Sequence, residues 1–215
     1  AHVSQYQQDR QEISLIAILR ERKSVVLYAL VGGFGSFVYA QFNYLLPLNM
    51  ESLYGAKGAE IFGLLTSVNA LVVILATPLV TTFLGKIRDV KKLLIGQTLI
   101  VLGLYSYRYV QLQMALYFLL MVIFTIGEVF KTLGEQPYMT RRIPATHWGR
   151  VNFFVSIVSG AFSSVGNLFL GRLLDSQGYS AAWLAVGLAG IGLIILAYLL
   201  SETDKKAFPL LYAEK

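Results

Sequence analysis

Long apolar runs alternate with short polar loops six times along the chain. The runs cover Ser24–Leu48, Gly58–Leu84, Leu93–Tyr107, Leu112–Gly134, Val151–Leu174 and Ala181–Leu200. Most of them supply the ~20 residues that an α-helix needs to cross the ~30 Å hydrocarbon core of a bilayer. The third is short and needs its flanks or little tilt. A soluble domain of 215 residues would not carry apolar runs this long six times over. The pattern predicts an all-α membrane protein of six transmembrane helices, with both termini on one side.

Charge placement chooses that side. Every second loop is basic: Arg10, Arg20, Arg22 and Lys23; Lys86, Arg88, Lys91 and Lys92; Arg141, Arg142 and Arg150; Lys205, Lys206 and Lys215. The opposite loops hold only Lys57, Arg108 and Arg172, while Lys131 lies inside an apolar run. Basic loops are retained in the cytoplasm, so both termini are expected there, with the protein multi-pass in the cell (inner or plasma) membrane. The net charge of +6 is therefore explained by topology. Nucleic acid is a poor partner, because no basic run is interleaved with exposed aromatics. The absence of cysteine excludes disulfides, thiolate nucleophiles and cysteine metal sites. No cleavable signal pattern opens the chain, and Ala1 in place of Met suggests a processed or truncated product.

Residues 1–23 read as a cytoplasmic linker. Within it Ile13, Ile16, Ala17 and Arg20 fall at helical spacing. This predicts either an amphipathic helix on the leaflet or a solvent extension of the first span. Residues 24–201 form the six-helix domain. Residues 202–215 form a cytoplasmic tail polar enough to be disordered.

The runs differ in their polar residues. The sixth carries only the Trp183 indole and the Tyr198 phenol, so it can face lipid on most sides. The fifth carries Asn152, Ser156, Ser159, Ser163 and Asn167 along one stripe, beside Gly160, Ser164 and Gly171. Small residues and serines suit close helix packing, whereas the two asparagines favour a water-lined surface. The first run aligns Gly32, Ser36, Tyr39, Asn43 and Pro47, and Tyr39 and Asn43 are placed to bond a solute or each other. In the second, Thr66, Asn69 and Thr77 lie close to one face, and Asn69 serves helix packing as readily as a ligand.

The fourth run holds the sharpest signal. Glu128, Lys131 and Glu135 share a face, with Thr125 just before them. Ionisable groups inside a membrane mark a pathway, a proton relay or a paired network. At ~1.5 Å per residue, Glu128 lies roughly 24 Å along the helix from Leu112, in the cytoplasmic half. Three readings stand: a neutralising Glu128–Lys131 ion pair, conformational gating, and direct binding of a proton or substrate.

Four ordered patterns then carry a family resemblance. Phe42–Val80 combines Leu-Pro-Leu, a Tyr-Gly loop, and a helix with Gly63, Ser67, Asn69 and Pro78. Gly85–Lys92 reads GKIRDVKK. In Thr125–Phe154, a Gly-Glu pair within a helix precedes a loop Pro and a Gly-Arg helix start. Gly166–Trp183 closes the set. Together they resemble the C-terminal six-helix half of a major facilitator superfamily (MFS) transporter, in the drug:proton antiporter-like branch. The second pattern looks like a reduced copy of the family's Gly-x-x-x-Asp-Arg-x-Gly-Arg-Arg loop. Val90 replaces the Arg after Asp89, and the second Gly is missing.

The resemblance implies a twelve-helix unit in which two halves rock about a central site, each half a three-plus-three inverted repeat. It implies that the first, second, fourth and fifth helices here line the cavity, while the third and sixth face lipid. The implied function is secondary active transport of a small-molecule solute by alternating access, as proton-coupled efflux. The implied partners are the lipid bilayer, protons and an N-terminal six-helix half, without a cofactor. Tyr39, Asn43, Asn69 and Asn167 would touch the solute. Glu128, Lys131 and Glu135 would couple or gate, and the loop of Gly85, Arg88 and Asp89 would hold the inward-closed state.

Rival readings are a solute-binding membrane subunit of a larger import complex, a six-helix homodimeric transporter, and a channel. An enzyme of the intramembrane-protease kind is disfavoured. The only histidines, His2 and His147, lie in cytoplasmic segments, and Glu128 and Glu135 sit on one helix beside a lysine.

Overall fold

A computed structural model describes residues 23–110 and 113–213. The predicted helix around Ile13–Arg20, the rest of the linker and the start of the fourth run at Leu112 lie outside the described residues. All regular structure in the described part is helical: α1 (Lys23–Ala40), α2 (Leu45–Tyr54), α3 (Gly58–Leu84), α4 (Asp89–Ser106), α5 (Met114–Arg142), α6 (Trp148–Ala207) and α7 (Leu210–Ala213). Single 3-10 turns at Gly55–Lys57, Tyr107–Tyr109 and Ala145–His147 join some of them. Three stretches are long and apolar enough to cross a membrane: Lys23–Leu84, Met114–Arg142 and Ala145–Ala207.

Helix boundaries follow local chemistry. The first apolar run does not form one rod. The chain turns at residues 41–44 through tighter bonds such as Phe42 N to Tyr39 O at 3.0 Å and Asn43 N to Ala40 O at 3.1 Å. Pro47 accounts for the break, because in a continuous helix its ring would meet the carbonyl of Asn43. In the first turn of a new helix its missing N–H costs nothing. The short third run gains its length from a polar flank, since α4 starts at Asp89, ahead of Leu93. The fourth continues past Gly134 to Arg142, through Pro137. The fifth and sixth runs share α6, which is broken at Gly178 into arms 148–177 and 179–207. Gly178 has φ 78° and ψ −179°, a conformation open to glycine and not to residues with a Cβ. The Tyr179 hydroxyl anchors the break by donating to the Leu48 carbonyl of α2 at 2.8 Å.

The tail corrects an expectation. Residues 202–207 extend the second arm of α6, and α7 folds back beyond Pro209. Order persists because Asp204 is fully buried and Tyr212 donates to it at 2.6 Å.

Packing is set by small residues, as expected where lipid removes any hydrophobic drive between helices. Gly96 and Gly103 of α4 meet Gly127 and Phe124 of α5 backbone to backbone. A Cβ on Gly96 would stand 2.4 Å from the Lys131 nitrogen, and one on Gly127 would stand 2.8 Å from the Gly96 carbonyl. Gly134 seats against the first turns of α4 in the same way. Gly187 and Gly190 let the second arm of α6 close on Tyr105 and Val101 of α4, while α1 lies along the first arm, with Gly33 against Phe162.

The sixth run is thus not mainly lipid-facing. Ala182, Trp183, Val186, Leu193, Ala197 and Leu200 are buried on one side, and Leu184, Leu188, Ile191, Ile195 and Tyr198 are exposed on the other. Two further elements leave apolar faces open: α3 (Leu71, Ile74, Leu75, Leu79, Phe83) and the first arm of α6 (Phe153, Ile157, Val165, Leu168).

Candidate functional site

Two polar clusters stand out, one inside the bundle and one at the end where the basic loops gather. In the first, side chains from α1, α3 and α5 converge on a single carboxylate. The Tyr39 hydroxyl donates to Glu128 Oε1 at 2.6 Å, and Asn69 Nδ2 donates to Glu128 Oε2 at 2.9 Å. The same amide nitrogen donates to Thr125 Oγ1 at 3.0 Å, and the buried Thr125 hydroxyl donates to the Met121 carbonyl at 2.7 Å. Tyr39 is fixed from below by stacking on Phe124, with centroids 5.6 Å apart. Both Glu128 oxygens therefore have donors, and both donors are neutral. Hydrogen bonds to a charged group contribute about 1.5–3 kcal/mol each, so three helices are tied together here.

Lys131 does not pair with Glu128. Its Nζ lies 3.8 Å from Glu135 Oε2, one turn on, and 5.4 Å from the centre of the Tyr39 ring. The i,i+4 partner wins over the i,i+3 partner because Tyr39 and Asn69 already occupy the Glu128 oxygens. Tyr28 of α1 also interacts with Glu135. The expected trio is thus divided into a neutral-donor site at Glu128 and an ion pair beneath it.

The expected cavity residues divide likewise. Tyr39 and Asn69 meet at Glu128. Asn167 instead accepts from Gln41 Nε2 at 2.8 Å, and that nitrogen also donates to the Phe37 carbonyl at 2.7 Å. Gln41 is fully buried at the turn between α1 and α2, and its side-chain oxygen has no hydrogen-bond partner among the described residues. Asn43, on the same turn, is exposed. Gln41 escaped the sequence reading. Its signal was a lone amide at the foot of a helix that a proline breaks six residues later.

The second cluster joins α4, α5, the end of α6 and α7. Asp89, 5% exposed, accepts from Arg141 Nη1 at 3.1 Å and from Arg142 Nη1 at 3.3 Å. Arg142 also grips Asp204 with two parallel bonds, Nε to Oδ1 at 2.5 Å and Nη2 to Oδ2 at 2.8 Å. Arg88 stacks over the Tyr212 ring at 4.5 Å and donates to the Tyr212 carbonyl at 3.4 Å. Burial, reinforced by its bond to Asp204, pushes the Tyr212 hydroxyl up to about 12. Of the expected loop motif, Asp89 and Arg88 are therefore engaged, and the Gly85 carbonyl accepts from Lys92 at 3.3 Å. Arg142, Asp204 and Tyr212 were missed, because two of them lie in a segment read as disordered.

No family model, curated protein or solved structure matches this chain.

Proposed function

We propose that the chain is the C-terminal six-helix half of an MFS-type secondary transporter, with Glu128 as its proton-exchanging carboxylate. Its six rods would be α1 with α2, α3, α4, α5 and the two arms of α6, each crossing the cell membrane. The observation that carries the reading is the convergence of Tyr39 and Asn69 on Glu128, half-buried among three helices and, among the described residues, without a cation on either oxygen. A phenol and an amide accept either protonation state of a carboxylate, by turning a hydroxyl or exchanging N–H for C=O. A guanidinium does not. Proton relays are among the roles that intramembrane carboxylates serve.

The open apolar faces of α3 and the first arm of α6 support the same reading. They are the elements on which the resemblance puts the central cavity, and the N-terminal half would stand against them. Solute would enter between the halves near Tyr39, Asn43, Asn69 and Asn167, and outward movement driven by inward proton flow is the proposed direction. A homodimer of six-helix units would cover the same faces.

Intact mass of the native polypeptide, taken directly from its membranes, separates these readings. A chain near twice this length is expected. A native chain of 215 residues would overturn the half-transporter reading in favour of the homodimer or a subunit of a larger complex.

A further inference from the structure

A cavity of about 780 Å³ opens at the basic end of the bundle, between the α3–α4 loop, the last turn of α5 and α7. Among the described residues five cations line it, Lys86, Arg88, Lys92, Arg141 and Arg142, with Asp89 as the one lining carboxylate. Ion pairing accounts for two of the five, since Arg142 is neutralised by Asp204 and Arg141 by Asp89. Lys86, Arg88 and Lys92 have no carboxylate within ion-pair distance among the described residues.

Lys92 is the telling member. It is only 8% exposed, and its ammonium donates to the Gly85 carbonyl at 3.3 Å. A buried ammonium carries a large desolvation cost unless a counter-charge offsets it. Positive loops alone explain lysines that project into water. They do not explain a lysine withdrawn into a walled cavity beside Arg88 and Lys86. The cluster also sits where the chain enters α4, whose helix dipole places partial positive charge at Asp89 and the residues after it. The three cations without an ion-pair partner and the helix end favour a multiply charged oxyanion, and the cavity is roomy enough to admit one alone or as part of a headgroup. Phosphate has that charge, and arginine with lysine is the usual pair that receives it.

We infer that this cavity binds a phosphate group, held by Lys92 from within and by Lys86 and Arg88 at the mouth. The inference stands apart from the transport reading, because it needs only the cavity and its charges. The group can arrive as the headgroup of an anionic phospholipid in the adjoining leaflet or as soluble phosphate.

Thermal unfolding of the purified full chain tests it, with two probes. Inorganic phosphate is titrated in neutral detergent against sodium chloride of equal ionic strength. Nanodiscs of phosphatidylcholine are compared with nanodiscs that also contain phosphatidic acid. A ligand that binds only the folded state raises the midpoint as its concentration grows. The midpoint is expected to rise with at least one probe and not with chloride. A rise with inorganic phosphate identifies the soluble group, and a rise with phosphatidic acid alone identifies the lipid headgroup.

Lys92→Gln is expected to weaken the response about tenfold. Lys86→Gln, at an exposed position that folding tolerates, is expected to weaken it in the same direction and keeps the test decisive if Lys92→Gln does not fold. Lys57→Gln and Arg108→Gln, at the opposite end, are expected to leave it unchanged. Equal midpoints under all conditions, or an equal loss in all four variants, would overturn the assignment.

Discussion

Glu128 and Asp204 are both carboxylates held by two side-chain donors or more, yet their surroundings differ in kind. Asp204 is clamped by the Arg142 guanidinium in parallel bonds and capped by the Tyr212 hydroxyl. Glu128 receives a phenol and an amide from two other helices. A guanidinium stays charged and offers only donors, so it fixes its partner as an anion. Neutral groups adapt to a carboxylic acid as well as to a carboxylate. One cluster is built to stay as it is, and the other tolerates change. The lesson is that burial of an acid says little about its role until the charge of its partners is known.

Breaking the fixed cluster should have the largest effect. Arg142→Leu strands Asp204 as a buried carboxylate held only by the Tyr212 hydroxyl and leaves Asp89 to Arg141 alone, and loss of one partner of a buried pair costs about 3–5 kcal/mol. An unfolding free energy lower by that amount, with a lower thermal midpoint, checks it, and an unchanged midpoint would show that the clamp contributes nothing. Next comes the glycine seam that brings α5 beside α4. Gly96→Val places branched carbon against the Lys131 backbone, for an expected loss of about 1–3 kcal/mol in the same assay.

The adaptable cluster should respond in the opposite way. Glu128→Gln keeps shape and both neighbours, so stability should change by no more than about 1 kcal/mol. On the transport proposal, gradient-driven solute movement by the native polypeptide in vesicles should nonetheless fall at least tenfold, which wild-type flux would refute. The smallest effect concerns Tyr212. Its phenol is raised from 10.0 to about 12 in the folded chain. The folded state therefore keeps the proton that the unfolded state gives up first, and stability falls as pH rises. This contribution is complete below pH 10, lost as pH climbs through about 12, and absent in Tyr212→Phe. Unfolding midpoints measured across alkaline pH in the two proteins test that difference.

Much of the helical plan was legible because apolar length is a property of single segments. The runs at Gly58–Leu84 and Val151–Leu174 needed no knowledge of neighbours. Glu128 was legible for the same reason, since a carboxylate within an apolar run is conspicuous wherever it lies. Its partner was not. Lys131 is near in sequence, but Tyr39 and Asn69 arrive from other helices, and only the folded bundle decides which donor reaches the oxygens first. The tail was misread because composition describes exposure of polar residues and says nothing of an arginine waiting at the end of α5. The break at residues 41–44 was readable in principle, since Pro47 stood in the run and its clash with a preceding carbonyl is local chemistry.

Infrared difference spectroscopy of the protein between acidic and alkaline buffer tests the central claim most directly. It reports whether the half-buried Glu128 carboxyl exchanges its proton without requiring the solute to be known. The account predicts a C=O component, above the common signal of the other carboxyls, that is retained in Glu135→Gln and lost in Glu128→Gln. An identical band in Glu128→Gln would contradict it.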